Sequence, residues 1–405
     1  MRPSVLGGSA SGNGAEIVHA PFLRRSSERF DRQTVPDWLS AARFHPKRNQ
    51  GENEMSRLTR PAAAQQAHPA WQRWSCATAS VASVLMLAIL PSAPLNASTL
   101  YAYIANEHSD NLSVIDTSTH AVVATVPVGD APLGVAVSPA RNRVYVANQL
   151  GDSVTVIDTV TNTVVTTIPV GDGPWGIAVL PDGSRAYVAN ENSGTVSVID
   201  TTTDTTLPAI PVGSNVAGIV VNAAGTRAYV ASPGNNVVHV IDTTDNTVVT
   251  TVGVGSGNPF GVDINPSGAQ VYATHFNAAR ASAIATATNT PGAGVSGLGH
   301  PLGIAFTPDG SIAYVCNFSE NTVSVVNALT DVVQSTLSGF SGPVGVAVDP
   351  TGTFAYVTNN GNGTVAIIDV ATHTITAPAI SVGNGPRSIG KFMVAPNQMF
   401  TDGFE

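Results

Sequence analysis

The sequence predicts an all-β fold, a seven-bladed β-propeller with four antiparallel strands in each blade. Three observations predict it. One phrase recurs at a fixed period: its tyrosine stands at Tyr103, Tyr145, Tyr187, Tyr229, Tyr272, Tyr314 and Tyr356, in steps of 42, 42, 42, 43, 42 and 42 residues. Two further markers keep that period. An aspartate closes a second phrase at Asp116, Asp158, Asp200, Asp242 and Asp369, with Ala285 and Asn327 in the remaining registers. A Pro-x-Gly phrase, or a variant of it, sets a glycine at Gly134, Gly176, Gly218, Gly261, Gly303 and Gly345, with Ser388 in the seventh place. Finally, each unit holds four short runs rich in Val, Ile, Thr and Tyr, bounded by turn residues. Four strands at this period is the arithmetic of a propeller blade. No stretch of the repeat has apolar residues at helical spacing, which excludes helical repeats, and a parallel β-helix uses a shorter coil.

In the unit around Tyr187 the four runs are "WGIAVLP", "RAYVAN", "TVSVID" and "TTLPAIPV", strands a to d from the axis outward. The a–b turn is "PDGS" at 181–184, and again at 308–311, with Pro and Gly where a tight turn needs them. The c–d turn opens on the recurring aspartate, whose carboxylate can accept backbone N–H groups two residues on. The first unit lacks a strand a of its own and begins with "STLYAYIAN", while one orphan run, "PRSIGKFMVAP" at 386–396, follows the last unit. The two deficits complement each other. The C-terminal run is therefore expected to supply strand a to the blade whose strands b, c and d come from residues 100–128, closing the ring without an open edge.

The propeller is expected over 98–396, with a tail at 397–405. Residues 55–97 read as a secretory signal: Arg57, Arg60 and Arg73, no acid, an apolar run at 76–90 and small residues near Ala97. Fifteen apolar residues are short for a membrane span, which needs about 20, so the membrane enters only if this segment stays uncleaved as an anchor. Residues 1–54 precede the signal and are read as a disordered extension, with Met55 as the expected true start. Location is thus exported: periplasmic, cell-surface or extracellular.

Charged residues make up 11% of the chain, against about 25% in typical globular proteins. Residues 1–97 carry 11 Lys+Arg and 6 Asp+Glu, residues 98–405 carry 7 and 21. An acidic body with so few cations is a poor nucleic-acid binder. Of the two cysteines, Cys76 lies in the signal segment and Cys316 takes a refrain position, where it is expected to be a small buried hydrophobe. The propeller then has no internal disulfide.

The refrain resembles the YVTN-type β-propeller repeats of bacterial and archaeal surface proteins. The residues that carry the resemblance are "YIAN" at 103–106, "YVAN" at 145–148 and 187–190, "YVAS" at 229–232, "YVCN" at 314–317 and "YVTN" at 356–359, followed in most units by "SVID" or a near variant. It covers roughly 98–396. It implies the propeller fold and an exported location, and little about chemistry, because such domains serve as scaffolds in proteins of many kinds.

Common catalytic signatures are missing from the sequence: no Cys-x-x-Cys-His, no His-Glu-x-x-His, no Gly-x-Ser-x-Gly and no phosphate loop. No catalytic residue, metal or cofactor is assigned. The five recurring aspartates are read as turn residues, since a catalytic group is needed once and a turn residue in every blade. The informative positions break the pattern. Before the recurring Gly on the d–a loops stand Leu133, Trp175, Ala217, Phe260, Leu302 and Val344, with Arg387 in the seventh place. Blade five departs most: His275 replaces the refrain's Asn, Ala285 its Asp, "NTPGAGVSGLG" is a poor fourth strand, and His300 lies on the next d–a loop. Trp175, Phe260, His275, His300 and Arg387 are therefore expected toward one face. They form either a shallow pocket suited to an anionic or sugar-like ligand, or a drifted scaffold in which His275 is a satisfied turn residue. The leading functional expectation is a secreted, non-enzymatic, monomeric interaction module for an unknown protein or a surface polysaccharide. The alternative is a lactonase-like hydrolase or a lyase using the blade-five face. A cofactor-bearing dehydrogenase subunit would lack visible ligands.

Overall fold

The computed structural model describes residues 100–213 and 215–394. The expected extension at 1–54, the signal at 55–97 and the tail at 397–405 lie outside the described residues.

Seven antiparallel sheets make the seven blades. Blade one takes strands b to d from Tyr101–Asn106, Asn111–Asp116 and Ala121–Pro127. Blade two runs through Pro132–Ser138, Arg143–Asn148, Ser153–Asp158 and Thr163–Pro169, and the remaining blades repeat this order. In blade five the strands are Pro259–Ile264, Gln270–His275 and Arg280–Ala285, and the fourth is split into Thr290–Pro291 and Val295–Ser296. The split matches the poor fourth strand read from "NTPGAGVSGLG": Gly294 has φ of +64°, which no extended strand accommodates.

Burial explains the pattern of each phrase. Strands b and c are buried on both faces because a neighbouring blade covers each side, so they are rich in Val, Ile and Ala, with one buried polar residue such as Ser197 in strand c, while strand d is mostly exposed and Thr-rich. The core lies between blades. One apolar cluster joins Tyr145 and Val154 of blade two to Ile177 and Val188 of blade three. The refrain tyrosine adds a polar strut: Tyr187, Tyr272, Tyr314 and Tyr356 reach Asn246, Asp331, His373 and His120 in the next blade's c–d turn at 2.6–3.3 Å. All four partners sit at positive φ between 52° and 61°, the conformation that favours short polar side chains.

The recurring glycine has its cause at the axis. In five blades the a–b ladder is interrupted between the proline and the residue three later, as between Pro174 and Ile177, so the x-Gly pair bulges out of register. A Cβ on Gly134, Gly176, Gly218, Gly261, Gly303 or Gly345 would run into the carbonyl oxygen of Trp175, Ala217, Phe260, Leu302, Val344 or Ser388 on the next inner strand. Glycine lets six of the inner strands approach their neighbours this closely, and Ser388 takes the place on the seventh.

The C-terminal segment lies between blades one and two. Met393 and Val394 pair antiparallel with Ala102 and Tyr101. Tyr103 donates its N–H to Phe392 O at 2.9 Å and Arg387 to Ala105 O at 3.0 Å, while Val135 and Val137 of blade two donate to Ile389 O and Lys391 O at 3.0 and 3.2 Å. The regular ladder is shorter than the strand expected over 386–396. Pro386 makes only an isolated bridge to Asn106, and Gly390 turns the chain at φ of +110°. Cys316, on strand b of blade six, is fully buried, and burial pushes its thiol pKa far up.

Candidate functional site

The d–a and b–c loops share one end of the propeller, and the five candidate residues lie on or just beneath it. His275 ends strand b of blade five and is fully buried. Its Nε2 lies 2.8 Å from Ser282 Oγ. That contact copies the refrain: Asn148 donates to Thr155 at 2.9 Å, Asn190 to Ser197 at 2.9 Å and Asn317 to Ser324 at 2.8 Å. The imidazole thus stands in for an amide. Burial first, then the charge of Arg280, lowers the His275 pKa to about 4, so the ring is neutral.

Arg387 is 3% exposed, and its Nε lies 2.8 Å from Glu107 Oε2, on a residue 6% exposed. Burial lowers the Arg387 pKa to about 10 against the opposing pull of Glu107. Burial likewise raises that of Glu107 against the charges of Arg387 and His108. The pair joins the C-terminal segment to the b–c loop of blade one. Trp175 and Phe260 are buried, with ring centroids 6.0 Å apart. Phe260 continues to Phe276 at 6.0 Å, and Phe276 to His300 at 5.3 Å and Phe318 at 6.5 Å. His300 is the exposed member, with Nδ1 2.7 Å from Glu320 Oε1. The structure therefore links Trp175, Phe260 and His300 through Phe276, sets His275 beside Phe276 in the chain, and engages Arg387 with Glu107.

The recurring aspartates lie at the opposite end and hold the c–d turns. Asp116 accepts the N–H of Ser118 at 2.8 Å, Asp158 that of Val160 at 2.9 Å, Asp200 that of Thr202 at 2.8 Å, Asp242 that of Thr244 at 2.9 Å and Asp369 that of Thr372 at 2.8 Å. The Thr161 N–H above all keeps Asp158 below the ordinary carboxylate range, as the Thr202 N–H does Asp200. Among the described residues no group of three or more His, Cys, Asp or Glu could hold a metal ion.

Sequence reasoning missed a second ring of variable residues. The position after the refrain's fourth residue is Glu107, Gln149, Glu191, Pro233, Phe276, Phe318 and Asn360. Glu107 and Phe276 are the groups that meet Arg387 and Phe260, and Gln149 Nε2 donates to Glu191 Oε2 at 3.2 Å. Its variability beside a recurring phrase was the available signal. Arg280 and Ser282 were missed as well. Arg280 opens strand c of blade five, where other blades have Asn111, Ser153, Thr195, Val237, Thr322 and Thr364. Its Nη1 donates to Ser282 Oγ at 2.6 Å, and Nη2 to the carbonyls of Val254 at 2.6 Å and Ser256 at 3.1 Å. The 43-residue step explains that loop: nine positions separate Val252 from Gly261, against eight from Ile210 to Gly218. The inserted residue, the His for Asn exchange and the Arg at the head of strand c meet at one place.

Residues 158–292 match the family model described as Lactonase, 7-bladed beta-propeller. No curated protein matches the chain. Among solved structures, the chain is similar to hydrazine synthase of Kuenenia stuttgartiensis, at 23% identity and a TM-score of 0.62 over 66% of this chain and 92% of that one. It is similar to a functionally unknown protein from Desulfotomaculum acetoxidans, at 15% identity and a TM-score of 0.61 over 72% and 99%. A third likeness is to the dihydro-heme d1 dehydrogenase NirN, at 16% identity and a TM-score of 0.55 over 76% and 78%. At these identities the likenesses concern the fold alone. With the seven sheets of the chain itself, they make it a seven-bladed β-propeller that is similar, over 158–292, to the lactonase propellers.

Proposed function

We propose that this is an exported, non-catalytic binding propeller that presents its d–a and b–c loops to a partner protein or a polysaccharide of the cell surface or periplasm. The observation that carries the reading is the use made of the reactive side chains on that face. His275 is spent on Ser282, Arg387 on Glu107 and His300 on Glu320. The exposed groups there include His108, which lies 3.3 Å from Glu107, and loop acids and amides such as Asp130, Asp172 and Asn192, which suit recognition more than turnover. The signal-like segment at 55–97 and the resemblance to YVTN-type surface repeats support export.

Lactone hydrolysis is the second reading. It is favoured by the match over 158–292, which reaches into blade five and includes His275, Arg280 and Ser282. One experiment separates the two. Wild type, His275→Asn and His300→Ala are assayed for hydrolysis of a panel of γ- and δ-lactones and, side by side, for retention on cell-envelope fractions. The binding reading expects no lactone turnover by wild type and saturable retention on the envelope, weakened when the loop face is altered. Turnover lost in His275→Asn with the fold intact would establish the hydrolase instead.

A further inference from the structure

We propose that the axis of the propeller is a blind pocket for a small zwitterion of the amino-acid class, with its ammonium on Asp263 and its carboxylate on Lys391. The first ground is a contrast along the inner strands. Two residues after the recurring glycine these strands carry Ala, Val or Gly, except in blade five, which has Asp263. Three residues after it they carry Val, Ile or Phe, except on the closing C-terminal segment, which has Lys391, the one lysine among the described residues. Charge at positions that are otherwise apolar costs stability, so it calls for a counter-charge. Gly390 sets Lys391 on the axis: a Cβ there would stand 2.8 Å from Val135 O and 3.3 Å from Ile177 O, on the inner strands of blades two and three.

Access is the second ground. The side chains before the recurring glycine shut the axis at the d–a end: none is more than 7% exposed. There the rings of Trp175 and Phe260, from blades three and five, meet at 6.0 Å across blade four's Ala217. Toward the a–b end the wall opens. Val137, Val179, Val221 and Val348 are half-buried, as is Asp263, and Lys391 is exposed. An apolar recess with two charged groups has the make-up of a small-molecule pocket. The third ground is that neither charge is matched. Asp263 accepts only backbone N–H groups, from Ile264 at 2.9 Å and from Phe306 of blade six at 3.4 Å. The Phe306 N–H faces the axis, as does its counterpart on Val137, which donates to Lys391 O. No ion pair joins Asp263 to Lys391, or either to another side chain, among the described residues. Yet the two feel each other: burial raises the Asp263 pKa, and the Lys391 charge pulls it back. A zwitterion fills such a gap with a charge-assisted hydrogen bond at each end and lays its side chain on the valines. An amine alone leaves Lys391 unmatched, and a carboxylate alone leaves Asp263 so. The pocket opens away from the d–a and b–c loops, so the assignment rests neither on the binding-face reading nor on lactone turnover.

The test is titration calorimetry on the full chain with glycine, L-valine and L-leucine near neutral pH. Isobutylamine and isovalerate, which each keep one of valine's two charges, serve as controls, and wild type is compared with Asp263→Asn and Lys391→Met. Expected are saturable binding of valine or leucine by wild type, and at least tenfold weaker binding of either control. Both variants should lose at least tenfold in affinity for the amino acid. Should Asp263→Asn fail to fold, Lys391→Met, which alters an exposed side chain, must still show the loss. Absence of saturable binding of all three amino acids by wild type would leave the two charges as a long-range tie across the ring. Undiminished binding by either folded variant, or isobutylamine or isovalerate binding as tightly as valine, would likewise overturn the assignment.

Discussion

A histidine at position 275 does what asparagine does in other blades, with one added property: it can titrate. Its folded pKa, about 4, lies below the ordinary 6.5, so between these values the unfolded chain binds the extra proton. Its contribution to stability is therefore complete above pH 6.5 and is lost as pH falls toward 4. Replacing His275 by Asn, the residue of the refrain, should flatten the pH dependence of the melting temperature in that window while leaving the neutral-pH fold intact. Parallel melting curves for the two proteins from pH 7 to pH 4 would show that the ring is not held neutral. The same residue shows what a sequence can and cannot reveal. That His275 broke a pattern was visible from "YATH" at 272–275; that its partner would be Ser282, and its neighbour Arg280, was not. Those contacts depend on strand register and on a loop one residue longer, neither of which follows from residue types.

At the level of the element, the inner strand is the most constrained piece. Strands b and c were legible because both of their faces are covered, which leaves short apolar runs, interrupted in strand c by one buried polar residue such as Thr155 or Ser197. The glycine of Pro-x-Gly was legible as a recurring mark, but its reason, the carbonyl of the neighbouring inner strand, is a distance between residues some 42 apart and exists only in the closed ring. Gly261→Ala puts a methyl group against the Leu302 carbonyl, a backbone atom that cannot swing aside. A loss of about 1–3 kcal/mol or more is expected, read as a lower denaturation midpoint at unchanged slope. Gly253→Ala, with open space around its Cβ, should stay within about 0.5 kcal/mol of wild type. Equal effects of the two substitutions would remove the steric explanation of the repeat. The C-terminal strand was overestimated for a related reason. The run "PRSIGKFMVAP" at 386–396 reads as one strand, whereas Gly390 turns it and the hydrogen bonds go alternately to blades one and two.

For the whole molecule, stability is shared between neighbours, since each blade buries its faces against the next and none has a core of its own. A ring built this way depends on its last joint. Here that joint holds the buried Arg387–Glu107 pair, Ser388 Oγ accepting the Ala105 N–H at 2.8 Å and donating to Tyr103 O at 3.1 Å, and Phe392 buried in the cluster that spans blades one, two and seven. The direct measurement is calorimetric unfolding of the propeller ending at residue 385 beside one ending at residue 405. Loss of the single cooperative transition, or its replacement by a broad low-temperature one, is the predicted result. An undiminished transition in the shorter chain would contradict the closed ring on which the fold and the loop face both depend.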